Sequence, residues 1–378
     1  MTAMTKSIDL KAFLTVDDLR VGGIQRLVMD EAYALAEEGY CVQIINFGAE
    51  KENDSIIHVD GLTHDQLNEK SIFVTNLSGD KYSKLSRLRI FIKQNEVRSV
   101  ICHSPSSSFW FRVAALSLFR QLKISLWIHQ VLTLSDRVQA TKRVILSLTA
   151  NRLFFSAVQF KLEWEVNRAD RLLRRLRGAQ FRKVDRLGVY LPRILRETNG
   201  LDCETNEIHI IYASRLTPWK GLDKFDQIIK RNPRYHPVVL SVNVPTSLSS
   251  ALYFKDEYND HLLVCKSPSY VSNLTHPVHI YPTYYGDKVK NPQSIGLNVM
   301  EFALMGIPSL VSHEVTSTYP ELLKSTLVEV VDWHNEKLVD LKVQSLANLT
   351  KSERALAARM IQGVCSIENH IQTLKSNL

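Results

Sequence analysis

The chain has 378 residues, 45% of them hydrophobic and 23% charged; this suits two globular domains of ordinary size and excludes a disordered or fibrous protein. Its five cysteines (Cys41, Cys102, Cys203, Cys265, Cys365) lie far apart with no C-x-x-C pair, which excludes a disulfide framework and a zinc site and fits a reducing cytoplasm. The formal charge of +8 is uneven: residues 112–196 hold 18 Lys and Arg against 5 Asp and Glu, a net of +13, and the remainder is about −5, so partners bearing phosphates are implied.

The opening residues, MTAMTKSIDLKAFLTVDD, have no apolar signal core, and no uninterrupted apolar run reaches spanning length. A cytoplasmic chain not integral to a membrane is expected. A strand at 12–16 and a turn at 17–23 lead into helical periodicity in Ile24, Leu27, Val28, Leu35 and Ala36, ended by Gly39; a strand at 40–47 completes a β-α-β opening. Gly22 and Gly23 stand where the first strand meets the first helix, where small residues let a ligand approach the backbone. The spacing is not G-x-G-x-x-G, and a plain tight turn is the alternative. Apolar runs at 71–76, 97–103 and 124–129, with helical stretches between, predict a parallel, doubly wound sheet that binds ligands at the carboxyl ends of its strands. Residues 104–108 and the His129-Gln130 pair fall at that edge.

Helices are expected at 136–150 and 156–176, the latter opened by Ser156 and Gln159 at capping-box spacing. Arg168, Arg171, Arg174, Arg175 and Arg177 interleave with Leu172, Leu173 and Leu176 before Gly178. Such a basic amphipathic surface, with the apolar cluster Phe109, Trp110, Phe111, Leu116, Leu118 and Phe119 upstream, suits an anionic membrane; the alternative is a solvated arginine face and core aromatics. No nucleic-acid-binding module accompanies the charge, so nucleic acid is not an expected partner.

A polar, irregular stretch at 201–207 marks a domain boundary. A strand at 208–213 runs into Ser214-Arg215-Leu216-Thr217-Pro218-Trp219-Lys220-Gly221, and a helix over 220–230 carries Leu222, Phe225, Ile228 and Ile229 on one face. Strands are expected at 238–242, 262–266 and 278–281. The stretch 281–312 then reads YPTYYGDKVKNPQSIGLNVMEFALMGIPSLVS. Its polar loop ends at Gln293-Ser294, a helix begins near Gly296, Gly306 stops it, and Pro308 leads into a strand at 309–312. A helix entered through Ser and Gly offers free N–H groups and the positive end of its dipole to a phosphate. Glu301 sits inside this otherwise apolar helix, where a carboxylate needs a partner such as a ligand hydroxyl. Residues 319–323 and 327–331 are expected to close the sheet, and 352–374 to form one amphipathic helix.

The stretch 281–312 resembles the donor-binding signature of retaining GT-B glycosyltransferases of family 4, S-x-x-E-x-F-G-L-x-x-x-E-A-x-A-x-G-x-P. Gln293 stands at the first acidic position and Glu301 at the second, with Gly296, Leu297, Gly306 and Pro308 in register. Residues 214–221 resemble the second signature, G-R-L-x-x-x-K-G, with Ser214 in place of the glycine. The opening GGIQRLVMDEAYALAEEGY resembles the family's first βα turn, and Val189-Tyr190-Leu191-Pro192 its link between halves.

The resemblance implies an α/β GT-B fold, two Rossmann-like doubly wound domains facing across a cleft. Residues 1–200 would bind the acceptor, joined by a C-terminal helix at about 360–378 that crosses back, and 201–359 would bind the nucleotide sugar. Arg215 and Lys220 would converge on the diphosphate with Gly22, Gly23 and backbone N–H groups of Ser294, Ile295, Gly296 and Leu297. Glu301 would accept the ribose hydroxyls, Gln293 would lie beside the donor sugar, and His129 would face donor sugar and acceptor. Arg171, Arg174 and Arg175 would meet the membrane or acceptor.

The implied activity is transfer with retention from a nucleotide diphosphate sugar to a glycan or lipid-linked acceptor, in bacterial surface polysaccharide assembly at the inner face of the cell membrane, with no metal and no cofactor. The amide of Gln293, Ser214 and the absent glycine of the loop after 238–242 depart from the family pattern. A sugar-nucleotide epimerase of the same fold and a non-catalytic GT-B-like scaffold therefore stand as alternatives.

Overall fold

A computed structural model describes residues 10–17, 19, 23–48, 56–57, 62–119, 122–128, 156–160, 179–183, 188–190, 192, 207–214, 216, 220–241, 262–264, 271, 273–282, 296–312, 320–376 and 378. The chain divides into two compact units, 1–185 with 367–378, and 186–366.

Unit 1 is built from β1 (Leu10–Val16), α1 (Gly23–Glu37), β2 (Tyr40–Asn46), a short antiparallel pair β3 (Ile56–Ile57) and β4 (Leu62–Thr63), α2 (His64–Asn68), β5 (Ile72–Asn76), α3 (Lys81–Gln94), β6 (Ser99–Cys102), α4 (Pro105–Ser117), β7 (Lys123–Ile128), β8 (Ser156–Phe160) and β9 (Ala179–Lys183). Seven strands form a parallel sheet in the order β5-β2-β1-β6-β7-β8-β9. Strand β6 is buried along its whole length, as expected of a parallel strand covered on both faces. Helices α3 and α4 pack side by side and close one core against the sheet, in which Leu88, Phe91 and Ile92 of α3 meet Phe111, Ala114 and Ala115 of α4. Both begin at side-chain caps: Asp80 accepts from the Ser83 N–H at 2.8 Å, and Ser104 accepts from the Ser107 N–H at 3.0 Å ahead of Pro105.

Unit 2 comprises β10 (Ile208–Ala213), α5 (Leu222–Arg231), β11 (Tyr235–Ser241), β12 (Leu262–Val264), β13 (Pro277–Tyr281), α6 (Leu297–Leu304), β14 (Ser309–Ser312), α7 (Pro320–Leu323), β15 (Val328–Val331), α8 (Glu336–Ala347) and α9 (Lys351–Cys365). Its six-stranded parallel sheet has the order β12-β11-β10-β13-β14-β15. The last helix, α10 (Glu368–Lys375), belongs to unit 1.

A buried polar clamp holds α10 there. Glu31 on α1 lies 2.7 Å from His370 Nε2 and 2.8 Å from His103 Nε2, all three side chains being fully buried. Burial alone would raise the Glu31 carboxyl, but the two imidazoles, His103 foremost, outweigh it and hold it at about 2. The Trp127 ring stands edge-on to His370 with centroids 4.9 Å apart. At the surface Lys375 pairs with Glu38 at 2.9 Å.

Three sequence expectations are corrected. Residues 156–160 are not the start of a helix but strand β8, paired on both sides with β7 and β9; two ladders outweigh a local capping pattern. Residues 319–323 do not add a strand, since Pro320–Leu323 is one helical turn with Pro at its first position. The helix expected over 352–374 is two, α9 and α10, parted where Ser366 turns to extended backbone, and the break falls where the chain leaves unit 2 for unit 1. Among the described residues no helix is long and apolar enough to cross a membrane.

Candidate functional site

In unit 2 the chain runs from β10 outward to β11 and β12, then returns to the other side of β10 as β13, β14 and β15. The carboxyl ends of β10 and β13 are thus a topological switch point, where an open parallel sheet leaves a crevice between diverging connections. Three segments meet there: Lys220-Gly221 ahead of α5, Tyr281-Pro282 at the end of β13, and Gly296 at the start of α6.

Tyr281 joins them. Lys220 Nζ lies 3.5 Å from the Tyr281 hydroxyl and 5.4 Å from the ring centroid, over its face, an arrangement that attracts a cation. A Cβ at Gly296 would stand 2.9 Å from the same hydroxyl oxygen and would strike the Asn298 side chain, so only glycine fits against Tyr281. Gly221 is constrained similarly: its φ is +74° and a Cβ would come within 2.8 Å of Pro282 Cγ and closer still to the Pro282 carbonyl oxygen. The two glycines bring the Lys220 ammonium and the first turn of α6 to one tyrosine hydroxyl. Gly296, as N-cap, supplies no side-chain cap, and the first turn of α6 holds no acid; its N–H groups and the positive end of its dipole reinforce the lysine.

A buried chain of polar groups fixes the helix. Asn298 Nδ2 donates to the Ala213 carbonyl at the end of β10 at 2.6 Å and lies 3.5 Å from His279 Nε2 on β13; His279 Nδ1 lies 2.9 Å from Ser309 Oγ on β14. With an amide N–H facing Nε2, that nitrogen accepts and Nδ1–H donates to the serine, which assigns a neutral imidazole. Burial pushes the His279 imidazole down to about 3. One asparagine and one histidine therefore lock α6 to three adjacent strands.

Glu301 is fully buried in α6, every residue of which is buried. It stands four residues past Leu297, about 6 Å along the axis and on the same face.

Of the residues the sequence singles out, Lys220, Gly296, Leu297 and Glu301 are thus gathered on two adjoining segments of unit 2. Gly23 begins α1 in unit 1. Gly22, His129, Arg171, Arg174, Arg175, Arg215, Gln293, Ser294 and Ile295 lie outside the described residues. At the carboxyl edge of unit 1, Ser104 donates to Asp17 Oδ1 at 2.6 Å and Thr15 donates to Ser107 at 2.7 Å, between β1 and β6 where that sheet also reverses direction. Sequence reasoning missed Tyr281, Asn298 and His279. The signal for Tyr281 was the close approach required by a glycine fifteen residues away, which no local pattern displays. Among the described residues no group of three His, Cys, Asp or Glu is arranged to hold a metal ion.

No protein-family profile and no curated protein sequence matches the chain. Solved structures do. Sucrose-phosphate synthase from Thermosynechococcus elongatus superposes with a TM-score of 0.65 at 13% identity, over 97% of this chain and 98% of that one. A glycosyltransferase from Rickettsia africae gives 0.66 at 14% identity over 98% of both chains. HepE from Anabaena, in complex with UDP-glucose, gives 0.66 at 11% identity over 97% of this chain and 98% of that one. At such identities the likeness is one of fold, and it spans both units: over nearly its whole length the chain has the two-domain α/β architecture of the GT-B glycosyltransferases.

Proposed function

We propose that the protein is a retaining glycosyltransferase that moves a sugar from a nucleotide diphosphate donor to a glycan or lipid-linked acceptor in bacterial surface polysaccharide assembly, working against an anionic membrane surface. The observation that carries this reading is the meeting of Lys220 with the α6 N-terminus at Tyr281. Support comes from the bound molecules of proteins sharing the fold: HepE is in complex with UDP-glucose, and an α-glucosyltransferase with UDP.

The chemistry follows from where charge grows. As the bond between the sugar's anomeric carbon and the diphosphate breaks, negative charge collects on the leaving phosphate oxygens. Lys220 and the first-turn N–H groups of α6, with Arg215, stabilise it more in the transition state than in the ground state. Glu301 accepts the ribose hydroxyls and Gln293 hydrogen-bonds the donor sugar without adding charge. The acceptor hydroxyl attacks on the face the leaving group departs from, and its proton passes to the departing phosphate oxygen.

A panel of nucleotide sugars, incubated with and without glycan and lipid-linked acceptors, tests this by release of nucleoside diphosphate. Release that needs acceptor and falls at least about 100-fold in Glu301→Gln, with melting temperature unchanged, is expected. Turnover untouched by Glu301→Gln places the site elsewhere. Acceptor-independent isomerisation of the donor would instead identify an epimerase. Binding without turnover, with turnover gained in Gln293→Glu, would identify a scaffold built on a former enzyme.

A further inference from the structure

The outer face of α3 and α4 in unit 1 combines basic charge with exposed apolar side chains. Residues 81–123 carry nine Lys and Arg and a single acid, Glu96. Within α3 all five charges are basic. Lys84 is spent on the Phe47 carbonyl and Arg87 on Ser78, while Lys81, Arg89 and Lys93 are exposed. Apolar groups stand among these cations. Of the eight large hydrophobic side chains exposed among the described residues, four lie here: Tyr82 at 85%, Ile90 at 52%, Leu116 at 37% and Phe119 at 100%.

Topology concentrates them. The chain leaves α3 directly into β6 and leaves α4 directly into β7. The last turns of both helices therefore lie at the amino edge of the sheet, beside exposed Arg98 and Lys123, whose backbones are hydrogen-bonded at 2.8 Å. Leu116 and Phe119, with Arg89, Ile90 and Lys93 in the last part of α3, thus lie toward the same edge as Arg98 and Lys123. Half-buried Phe109 and Val113 continue the stripe along α4 at helical spacing. Phe119 is held at a φ of +51°, a conformation costly for an aromatic residue, and among the described residues nothing covers its ring.

We propose that this face docks on an anionic lipid bilayer, with Phe119, Ile90 and Leu116 entering the headgroup–acyl boundary and Arg89, Lys93, Arg98 and Lys123 meeting lipid phosphates. The surface is the outside of a helix layer, and its apolar members are partly aliphatic. Hydrocarbon rewards aliphatic groups; base stacking, which draws on aromatic faces lining a groove, does not. The proposal names a docking surface for the membrane-associated activity proposed above, yet its test needs no turnover, so the two stand or fall separately.

Flotation with vesicles of phosphatidylcholine alone or of phosphatidylcholine mixed with phosphatidylglycerol reads the binding. Wild type is expected to float with anionic vesicles only, and less at high salt. Phe119→Asn keeps a residue at home at positive φ, and Arg89→Glu/Lys93→Glu changes exposed side chains only, so melting temperatures hold. Each variant should bind at least about tenfold more weakly. Failure of wild type to float, or variants that float as well as wild type, overturns the proposal. So does loss of binding to a 20-mer single-stranded oligonucleotide in both variants without any vesicle binding in wild type, which would assign the face to nucleic acid.

Discussion

Tyr281 does two things with one ring: its face holds the Lys220 ammonium and its hydroxyl sets the limit of approach for Gly296. Tyr281→Phe keeps the first and removes the second, together with the hydroxyl 3.5 Å from Lys220 Nζ. Under the proposed function the affinity for a nucleoside diphosphate measured by calorimetry should therefore fall about fivefold, the worth of one long hydrogen bond, with folding intact. Gly296→Ala must displace Tyr281 or the pinned Asn298 and should cost about 1–3 kcal/mol of stability in urea unfolding. His279 makes a prediction about acid. Its folded pKa, about 3, lies below the unfolded value of about 6.5, so between these limits the unfolded chain binds a proton that the folded chain refuses. Stability is therefore full above about pH 6.5 and declines as pH falls toward 3, by at most about 1.4 kcal/mol per pH unit. His279→Gln should flatten urea-unfolding stability between pH 6.5 and 4.5; an unchanged slope would assign the decline to other groups. The Glu31 clamp acts lower, its contribution fading as pH falls from about 4.5 through about 2. None of these three roles was visible in the sequence, because each depends on a partner brought near only by folding; Glu31 and His370 are 339 residues apart.

Helix α6 was legible almost to the residue. Its start at Gly296, its apolar faces, its stop at Gly306 and the strand at Ser309–Ser312 follow from local turn and cap chemistry, and the structure has them all. Helix α5 was legible in its apolar face, but its start lay two residues late, because Gly221 takes a left-handed conformation imposed by Pro282. Gly221→Ala should accordingly cost about 2–4 kcal/mol, combining strain and overpacking, and should loosen the Lys220–Tyr281 contact. Strand β8 was misread since its five residues satisfy a helix-capping pattern as well as a strand; only the flanking ladders decide. The aromatic cluster of 109–119 was read as one body, whereas α4 divides it: Phe111 is core, Phe109 and Trp110 are half-buried, and Phe119 is wholly exposed.

At the scale of the molecule, the alternation of strands and helices was enough to expect two parallel sheets, because a parallel strand pair demands a crossover and the crossovers show as periodic helices. Two units with separate cores should not melt as one. Under the proposed function, a saturating nucleoside diphosphate, at about 100 times its Kd, should raise the unit 2 transition by about 5–10 °C in calorimetry and leave unit 1 nearly unmoved. His370→Ala should do the converse, lowering unit 1 by leaving half of a buried carboxylate unpaired. A single transition shifted equally by both would mean that the units unfold together.

The clamp on α10 also bears on how the polypeptide is made. Unit 1 is nearly complete in sequence by Asp185, yet the imidazole that closes its carboxylate arrives only at His370. At cellular synthesis rates of about 5–20 residues per second, the intervening stretch delays His370 by roughly 10–40 s. Throughout that interval the nascent amino-terminal half waits on the ribosome with Glu31 held by one histidine rather than two, and any prematurely terminated chain never receives the second.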